Sequence, residues 1–390
     1  MEQLLEKLNR QITYARENSR FYQYLPTKVN SMEDFRRVPT IDASAITMNG
    51  KQMLCCPPNR VRRMVSMQTS GTTAAPKRLA FTEADLQRTV DFFCWGMHTL
   101  CDAGDRVGIF MPGSQPDGLC DLLSRGLRQF GAEPVVHGII TDFGAAAQSC
   151  RQKEWAVFVG IPVQMRRLAL TAPDLRVKRV LLSADYISPA VKRTLEQIWN
   201  CEVYEHFGMT ETGLGCAVET PARQGMVCRE DVYLDVENGE ILLTTLQREA
   251  MPLIRYRTGD LGQLLPNGNL GAVFGRMSEV TNKICITTLD DVLYKLDTVL
   301  DYRAVQRGNR LHLTVLGDAA QAVLAAEAIF PQMRITASSA SEEDMKFTGK
   351  RKLLREEEGD DHGANHHNFT RGAENYCKDG RYSAVCSSRT

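Results

Sequence analysis

The stretch Ala156-Val157-Phe158-Val159-Gly160-Ile161-Pro162 decides how this chain is read. It is apolar throughout, shows no polar alternation and is stopped by Pro162, which describes a short strand buried on both faces. Val163 to Thr171 then follows a helical pattern. Working backwards, Arg106-Val107-Gly108-Ile109-Phe110 reads as a strand ended by Pro112-Gly113, and Asp117 to Phe130 as a helix. Pro134-Val135-Val136 is the next strand and Ala145 to Lys153 the next helix. Working forwards, Arg179-Val180-Leu181-Leu182 is a strand, Pro189 to Trp199 a helix, and Glu202-Val203-Tyr204 the last strand of the series. Apolar strands alternating with helices predict an α/β fold built on a parallel sheet with helices on both faces.

The flanks differ in texture. Leu4, Leu5, Leu8, Ile12 and Ala15 recur at helical spacing, and Ser31 precedes Glu33 and Asp34 as a helix cap precedes its first turn. Arg62 to Gln68 reads as a strand leading into a Gly/Thr-rich loop, and Leu79-Ala80-Phe81 resumes extended structure. Thr82 then caps a helix running to about Thr99, with Glu83 and Asp85 in its first turn. After Glu219, Val232–Val236 and Glu240–Thr244 flank Glu237-Asn238-Gly239 as a hairpin, and Pro266-Asn267-Gly268-Asn269 is a further turn. This predicts a small antiparallel, barrel-like region. A compact α+β unit follows from about 280 to 355, with a strand at Arg310–Val315 and a helix at Ala319–Ile329. Beyond Arg355 the chain is polar, with almost no aliphatic residues, and is expected to be disordered.

Bulk properties narrow the function classes. The 390 residues suffice for two or three domains, and 43% hydrophobic with 24% charged residues is ordinary globular composition. The formal net charge is zero, so no global field draws the chain to nucleic acid or to an anionic membrane. No run approaches the ~20 apolar residues of a membrane helix. Met1 to Lys7 lacks a basic segment followed by an apolar core, so no secretory signal is expected. The 12 cysteines are scattered without any Cys-x-x-Cys pair, which favours reduced thiols in a cytoplasmic protein.

Five short segments carry chemistry. In Thr69-Ser70-Gly71-Thr72-Thr73-Ala74-Ala75-Pro76-Lys77, small residues and hydroxyls let the backbone approach an anion, and Lys77 adds a cation. The Walker Gly-Lys-Ser/Thr is absent, and a solvated connection reads equally well from this segment alone. His206-Phe207-Gly208-Met209-Thr210-Glu211-Thr212-Gly213 follows the last parallel strand, where ligands of open α/β sheets sit. An aromatic for base stacking, a glycine for close approach, a hydroxyl and a carboxylate suit a magnesium nucleotide. A polar turn around a core phenylalanine is the alternative. In Arg255-Tyr256-Arg257-Thr258-Gly259-Asp260, Asp260 could hold a ribose diol or pair with a neighbouring arginine. Gly275-Arg276-Met277-Ser278-Glu279 and Thr348-Gly349-Lys350-Arg351-Lys352 are the remaining two, each also readable as a solvated basic turn.

Taken together, in this order, the five resemble the motifs of the adenylate-forming superfamily of acyl-CoA synthetases, and more closely its phenylacetate–CoA ligase-like branch. Ile12 to Tyr22, Met32-Glu33-Asp34-Phe35 and Val38-Pro39-Thr40 are similar to that branch's entry segments, so the resemblance spans roughly 5 to 355. It implies that Thr69, Ser70, Gly71, Thr72, Thr73 and Lys77 handle the β- and γ-phosphates of ATP. Ser183, Ala184 and Asp185 would line adenine and the acyl pocket. Phe207 would stack on adenine beside Gly208, Thr210 would contact the α-phosphate, and Glu211 would ligate Mg2+. Asp260 would bind ribose, Arg276 would reach the nucleotide, Glu279 would be the hinge, and Lys350 would be the adenylation lysine, with Lys352 close enough to be confused with it.

The resemblance further implies a large ATP- and acid-binding domain over 1–278, a small mobile α+β domain over 279–355 and the tail 356–390. The activity implied is ATP-dependent activation of a carboxylic acid, followed by transfer to the thiol of coenzyme A. Transfer to a carrier-protein thiol, or nucleotide binding without turnover, stays open, as does a homodimer. Ala74 stands where the family loop has glycine, a penalty if that position needs positive φ. The acyl pocket would draw on Gly160, Ile161, Pro162, Ala184 and Gly213.

Overall fold

The computed structural model describes residues 2–67, 76–276, 284–345 and 353–355. The chain divides into two units, each assembled from three stretches: 1–104, 112–134 and 206–272 in one, and 105–111, 135–205 and 273–390 in the other.

The first unit opens with helix α1 (Glu2–Asn18), which buries Leu8, Gln11, Ile12 and Ala15. Helix α2 (Met32–Arg36) is capped by Ser31, which accepts from the Asp34 N–H, as its sequence predicts. Helix α3 (Ala43–Asn49) is capped by Asp42. Strands β1 (Arg63–Met67) and β2 (Lys77–Phe81) form an antiparallel pair. Helix α4 (Glu83–His98) begins with a full capping box, Thr82 and Asp85 each accepting the other's backbone N–H.

The helix expected from Asp117 begins later, as α5 (Leu119–Gln129). Asp117 takes φ +57° and its carboxylate pairs with Arg62 and Arg125. Gly118, the cap, lies so close to Gly113 that a Cβ would stand 2.3 Å from the Gly113 carbonyl oxygen. The backbone there belongs to a tight turn before the helix, a constraint that composition does not reveal.

The antiparallel region in this unit is built from β8 (Ala217–Glu219), β9 (Met226–Cys228), β10 (Val232–Glu237), β11 (Glu240–Thr245) and β12 (Tyr256–Leu264). The β10–β11 hairpin turns on Asn238 and Gly239, both with positive φ, the geometry that matches strand twist. Strand β13 (Leu270–Arg276) follows the Pro266–Asn269 turn, and its Leu270 pairs with Met226.

The parallel series is β3 (Arg106–Phe110), β4 (Glu133–Val136), β5 (Val157–Gly160), β6 (Arg179–Leu182) and β7 (Glu202–Phe207), of which the second unit holds all but 133–134 and 206–207. Strands β3, β5, β6 and β7 pair in parallel, in that order, and β4 lies on the other side of β3. The chain therefore reverses its direction of growth between β3 and β5, the crevice position at which open α/β sheets bind ligands. Helices α6 (Phe143–Lys153), α7 (Pro162–Thr171) and α8 (Pro189–Trp199) connect the later strands. Helix α6 starts two residues before its predicted bound because Asp142 caps it. Strand β7 runs past the predicted Tyr204 to Phe207, since His206 and Phe207 find partners in β8.

The same unit contains α9 (Ile286–Leu293), a β14 (Val299–Arg307)–β15 (Arg310–Gly317) hairpin, α10 (Ala319–Ile329), β16 (Arg334–Ser339) and β17 (Leu353–Arg355). The order β16-β15-β14-β17 makes a four-stranded mixed sheet, the α+β texture that its sequence predicts.

Candidate active site

Glu211 sits in a one-turn 3-10 helix, Thr210–Thr212, directly after β7. Local bonds define the turn. The Thr212 hydroxyl donates to the Met209 carbonyl at 2.8 Å, and the Leu214 N–H donates to the same oxygen at 2.8 Å. Gly213 closes it in the left-handed region, φ +77°. Gly208 is required by space, because a Cβ there would stand 2.1 Å from the Leu214 carbonyl oxygen. Three side chains from elsewhere in the unit then take the outward carbonyls. Arg248 donates to Glu211 O at 3.3 Å, Arg229 to Thr212 O at 3.2 Å, and the Thr89 hydroxyl to Gly213 O at 2.9 Å.

The Glu211 carboxylate is buried, and its Oε1 receives two donors. One is the Lys77 ammonium and the other the Tyr256 hydroxyl, the latter at 2.9 Å. Lys77 and Tyr256 are buried as well, and Lys77 Nζ lies 3.4 Å from the tyrosine oxygen and 5.9 Å from the ring centre. Burial alone would raise the Glu211 pKa, but the Lys77 charge and hydrogen bond, helped by Tyr256, outweigh it and hold the carboxyl below its ordinary value. Residues from three distant segments thus meet at one oxygen.

Asp260 is buried on β12, beyond a bulge at which β11 and β12 shift register. Gly259 takes φ +76° there, its N–H donating to Glu240 at 2.9 Å, and the Asp260 N–H donates to the Thr258 hydroxyl at 3.0 Å. A bulge of this kind re-aims the side chain that follows it. Phe207, half-buried, ends β7 opposite Ala217, and Thr210 is half-buried at the head of the turn.

Ser183, Ala184 and Asp185 follow β6 in the other unit. The Ser183 N–H donates to Gly160 O at 3.1 Å. Ala184 holds φ +74°, a left-handed conformation that costs an alanine ~1 kcal/mol or more and is kept where the surroundings over-determine it. Arg276 is exposed at the end of β13. Thr69, Ser70, Gly71, Thr72, Thr73, Ala74, Glu279, Lys350 and Lys352 lie outside the described residues.

Among the described residues no cluster of three or more His, Cys, Asp or Glu could hold a metal ion. A single buried carboxylate still fits magnesium, which keeps its waters and binds through one or two carboxylates plus substrate phosphates. Ten cysteines in the described residues are free thiols, and burial pushes Cys150 and Cys201 up to about 12. No helix among the described residues is long and apolar enough to cross a membrane.

A protein-family model described as "AMP-binding enzyme" matches residues 20–240, which take in the Lys77 strand and the Glu211 turn. The chain belongs to the AMP-binding enzyme family. The adenylate-forming membership expected from its motifs holds, and Asp260, Arg276 and Lys350 lie beyond the matched region. Curated relatives of this AMP-binding enzyme include the phenylacetate-coenzyme A ligase of Pseudomonas putida, 25% identical over 316 residues that cover 71% of this chain and 70% of that protein. The phenylacetate-coenzyme A ligase of Thermus thermophilus is 26% identical over 294 residues, covering 66% and 64%.

Among solved structures, 2-hydroxyisobutyryl-CoA ligase in its postadenylation state with 2-HIB-AMP aligns at a TM-score of 0.76 and 18% identity, over 92% of this chain and 89% of that one. The same ligase in its thioesterification state aligns at 0.65 and 18% identity, over 97% and 92%. At this identity the likeness is one of fold.

Tyr256, Arg248, Arg229 and Thr89 are the site residues that sequence reasoning missed. Tyr256 stands inside a quoted motif, so its place was visible and its partner was not. The two arginines and the threonine carry no local signal, because the carbonyls they satisfy are far away in sequence.

Proposed function

We propose that this enzyme activates a carboxylic acid with ATP and transfers the acyl group to the thiol of coenzyme A, the acid being arylacetic or similarly aromatic. The observation that carries the reading is Glu211: a buried, counter-charged carboxylate on a rigid turn after a parallel strand, joined to the lysine that ends the Thr69–Lys77 loop. The phenylacetate–CoA ligase relatives support the substrate class.

In this reading a substrate carboxylate oxygen attacks the α-phosphorus of ATP. The bond to the bridging oxygen breaks, pyrophosphate leaves, and acyl-AMP results. A thiolate then attacks the acyl carbon and expels AMP. Charge spreads over phosphate oxygens in the first step, so the protein's contribution is positioning and electrostatics. Phe207 and Gly208 would receive adenine, Asp260 the ribose, and Thr210 the α-phosphate. Thr69, Ser70, Gly71, Thr72, Thr73 and Lys77 would hold the terminal phosphates. Ser183, Ala184, Asp185 and Arg276 would complete the nucleotide and acyl contacts, and Lys350 would bring a second cation. Magnesium held by Glu211 would neutralise phosphate charge. Before the nucleotide arrives, the Lys77 and Tyr256 bonds to Oε1 keep that carboxylate ionised and oriented.

The test is pyrophosphate release with ATP, Mg2+ and a panel of aryl and aliphatic acids, coupled to detection of the coenzyme A thioester. Release that depends on an aromatic acid, together with its thioester, is the expected result. ATP binding without acid-dependent pyrophosphate would overturn the reading.

A further inference from the structure

We infer that Tyr256 is the positioning residue of the Glu211 carboxylate and that Lys77 is its exchangeable counter-ion, a division of labour that rests on the metal–nucleotide reading above. Both side-chain donors converge on Oε1, and the carboxylate also takes a backbone hydrogen bond from its own residue. Its side-chain partners therefore both hold it at one oxygen.

The two donors differ in what they can do when a metal–nucleotide arrives. Lys77 is the first residue of β2, next to the loop that would hold the terminal phosphates, and its ammonium ends a flexible four-carbon stem. A buried carboxylate left without a partner would cost several kcal/mol, so a resident cation is needed while the site is empty. A divalent cation and an ammonium compete for the same carboxylate. Anionic phosphate next to β2 gives the ammonium an alternative partner.

Tyr256 has no such freedom. It is buried, its two neighbours in the chain are bonded to Ile41 (Ile41 N–H to Arg255 O at 3.2 Å, Arg257 N–H to Ile41 O at 2.8 Å), and it pairs with Leu243 on β11. Once Lys77 departs, the Tyr256 hydroxyl is the one side-chain donor left on Glu211 among the described residues. It holds the carboxylate in one orientation, so that an arriving cation meets it without a search through rotamers. A neutral donor does this without repelling the arriving cation.

The test measures nucleotide affinity of the full chain by calorimetry, once with MnATP and once with ATP in EDTA. Tyr256→Phe removes only the hydroxyl. It should weaken MnATP binding about five- to tenfold and leave metal-free ATP within twofold. An equal loss for both ligands, or for neither, overturns the assignment. Glu211→Gln should remove the preference for the metal complex, and in that background Tyr256→Phe should add less than twofold. A full additive loss there would also overturn it.

Lys77 is tested by its effect on the unfolding midpoint of the empty protein. Lys77→Met should lower the midpoint in the wild-type background and much less beside Glu211→Gln. Equal lowering in both backgrounds contradicts the counter-ion role. Wild-type protein that binds ATP no better with Mn2+ than without it would instead sink the metal–nucleotide reading itself.

Discussion

The carboxamide of Gln11 and the backbone of Arg248, 237 residues apart, bond reciprocally: Gln11 Nε2 donates to Arg248 O at 3.1 Å, and Arg248 N–H donates to Gln11 Oε1 at 2.9 Å. The side chain thus completes two buried backbone groups just before β12. Nearby, the Tyr14 hydroxyl donates to Glu249 O at 2.9 Å, and Asp85 accepts the Glu249 and Ala250 N–H groups. The helix at the start of the chain is thereby a brace for the segment that delivers Tyr256. Gln11→Leu keeps the volume and strips both bonds, leaving two buried backbone groups unpaired. It should cost about 2–4 kcal/mol in urea unfolding and raise hydrogen exchange across 247–257 before other segments.

Gly208→Ala should be far more damaging than an ordinary surface glycine change. The new Cβ would meet a backbone carbonyl, which cannot yield as a flexible side chain would. The 208–214 turn must shift and take Glu211 with it. Acid-dependent pyrophosphate release is expected to fall at least ~100-fold, because a misplacement of about 1 Å costs that much. Thermal unfolding of the same variant reports how far the damage extends.

His206 is buried against Phe92 and Phe93, and burial lowers its pKa to about 4. Unfolded, the ring titrates near its ordinary 6.5. Between those values the unfolded chain binds a proton that the folded chain refuses. Stability from this residue is therefore full above pH ~6.5, declines as pH falls toward ~4, and amounts to about 3 kcal/mol. His206→Phe should flatten this part of the acid limb. Urea midpoints of the two proteins, compared from pH 7 to pH 4.5, give the check, and parallel curves would contradict it.

Arg166 is fully buried, and its guanidinium donates to Val299 O at 2.8 Å and Leu296 O at 2.9 Å while lying 5.1 Å from the Tyr294 ring centre. Arg166→Ala orphans both carbonyls and leaves a cavity, for an expected loss of about 2–4 kcal/mol. Arg166→Lys keeps the charge and lacks the planar fork, so it should recover less than half of the loss. Melting of the two variants distinguishes charge from geometry.

Lys350→Ala should reduce adenylate formation roughly 100-fold or more while sparing thioester formation from supplied acyl-AMP. If Lys352→Ala produces this split instead, the lysine assignment shifts by two residues. Separate assays of the two half-reactions decide between them.

Much of the fold was legible because its signals are local. Val157 to Gly160 could be read as a doubly buried strand, Asn238-Gly239 as a hairpin turn, and Thr82 with Asp85 as a helix start, since each depends on a few consecutive side chains. The late start of α5 was not legible. It depends on Gly113 and Gly118 fitting against each other and on Asp117 meeting Arg62, and these are tertiary events.

The candidate site divides the same way. Sequence alone determined the chemical types and their order: the Thr69–Lys77 loop, then Phe207 and Glu211 near the end of the parallel series, then Asp260 after a glycine turn. Tertiary structure decided that Lys77, Glu211 and Tyr256 meet at one carboxylate oxygen, and that Arg248, Arg229 and Thr89 hold the turn beneath it. The reason is physical. A motif records which group is present, whereas a buried charge is stable only beside partners that folding brings from 134 and 45 residues away.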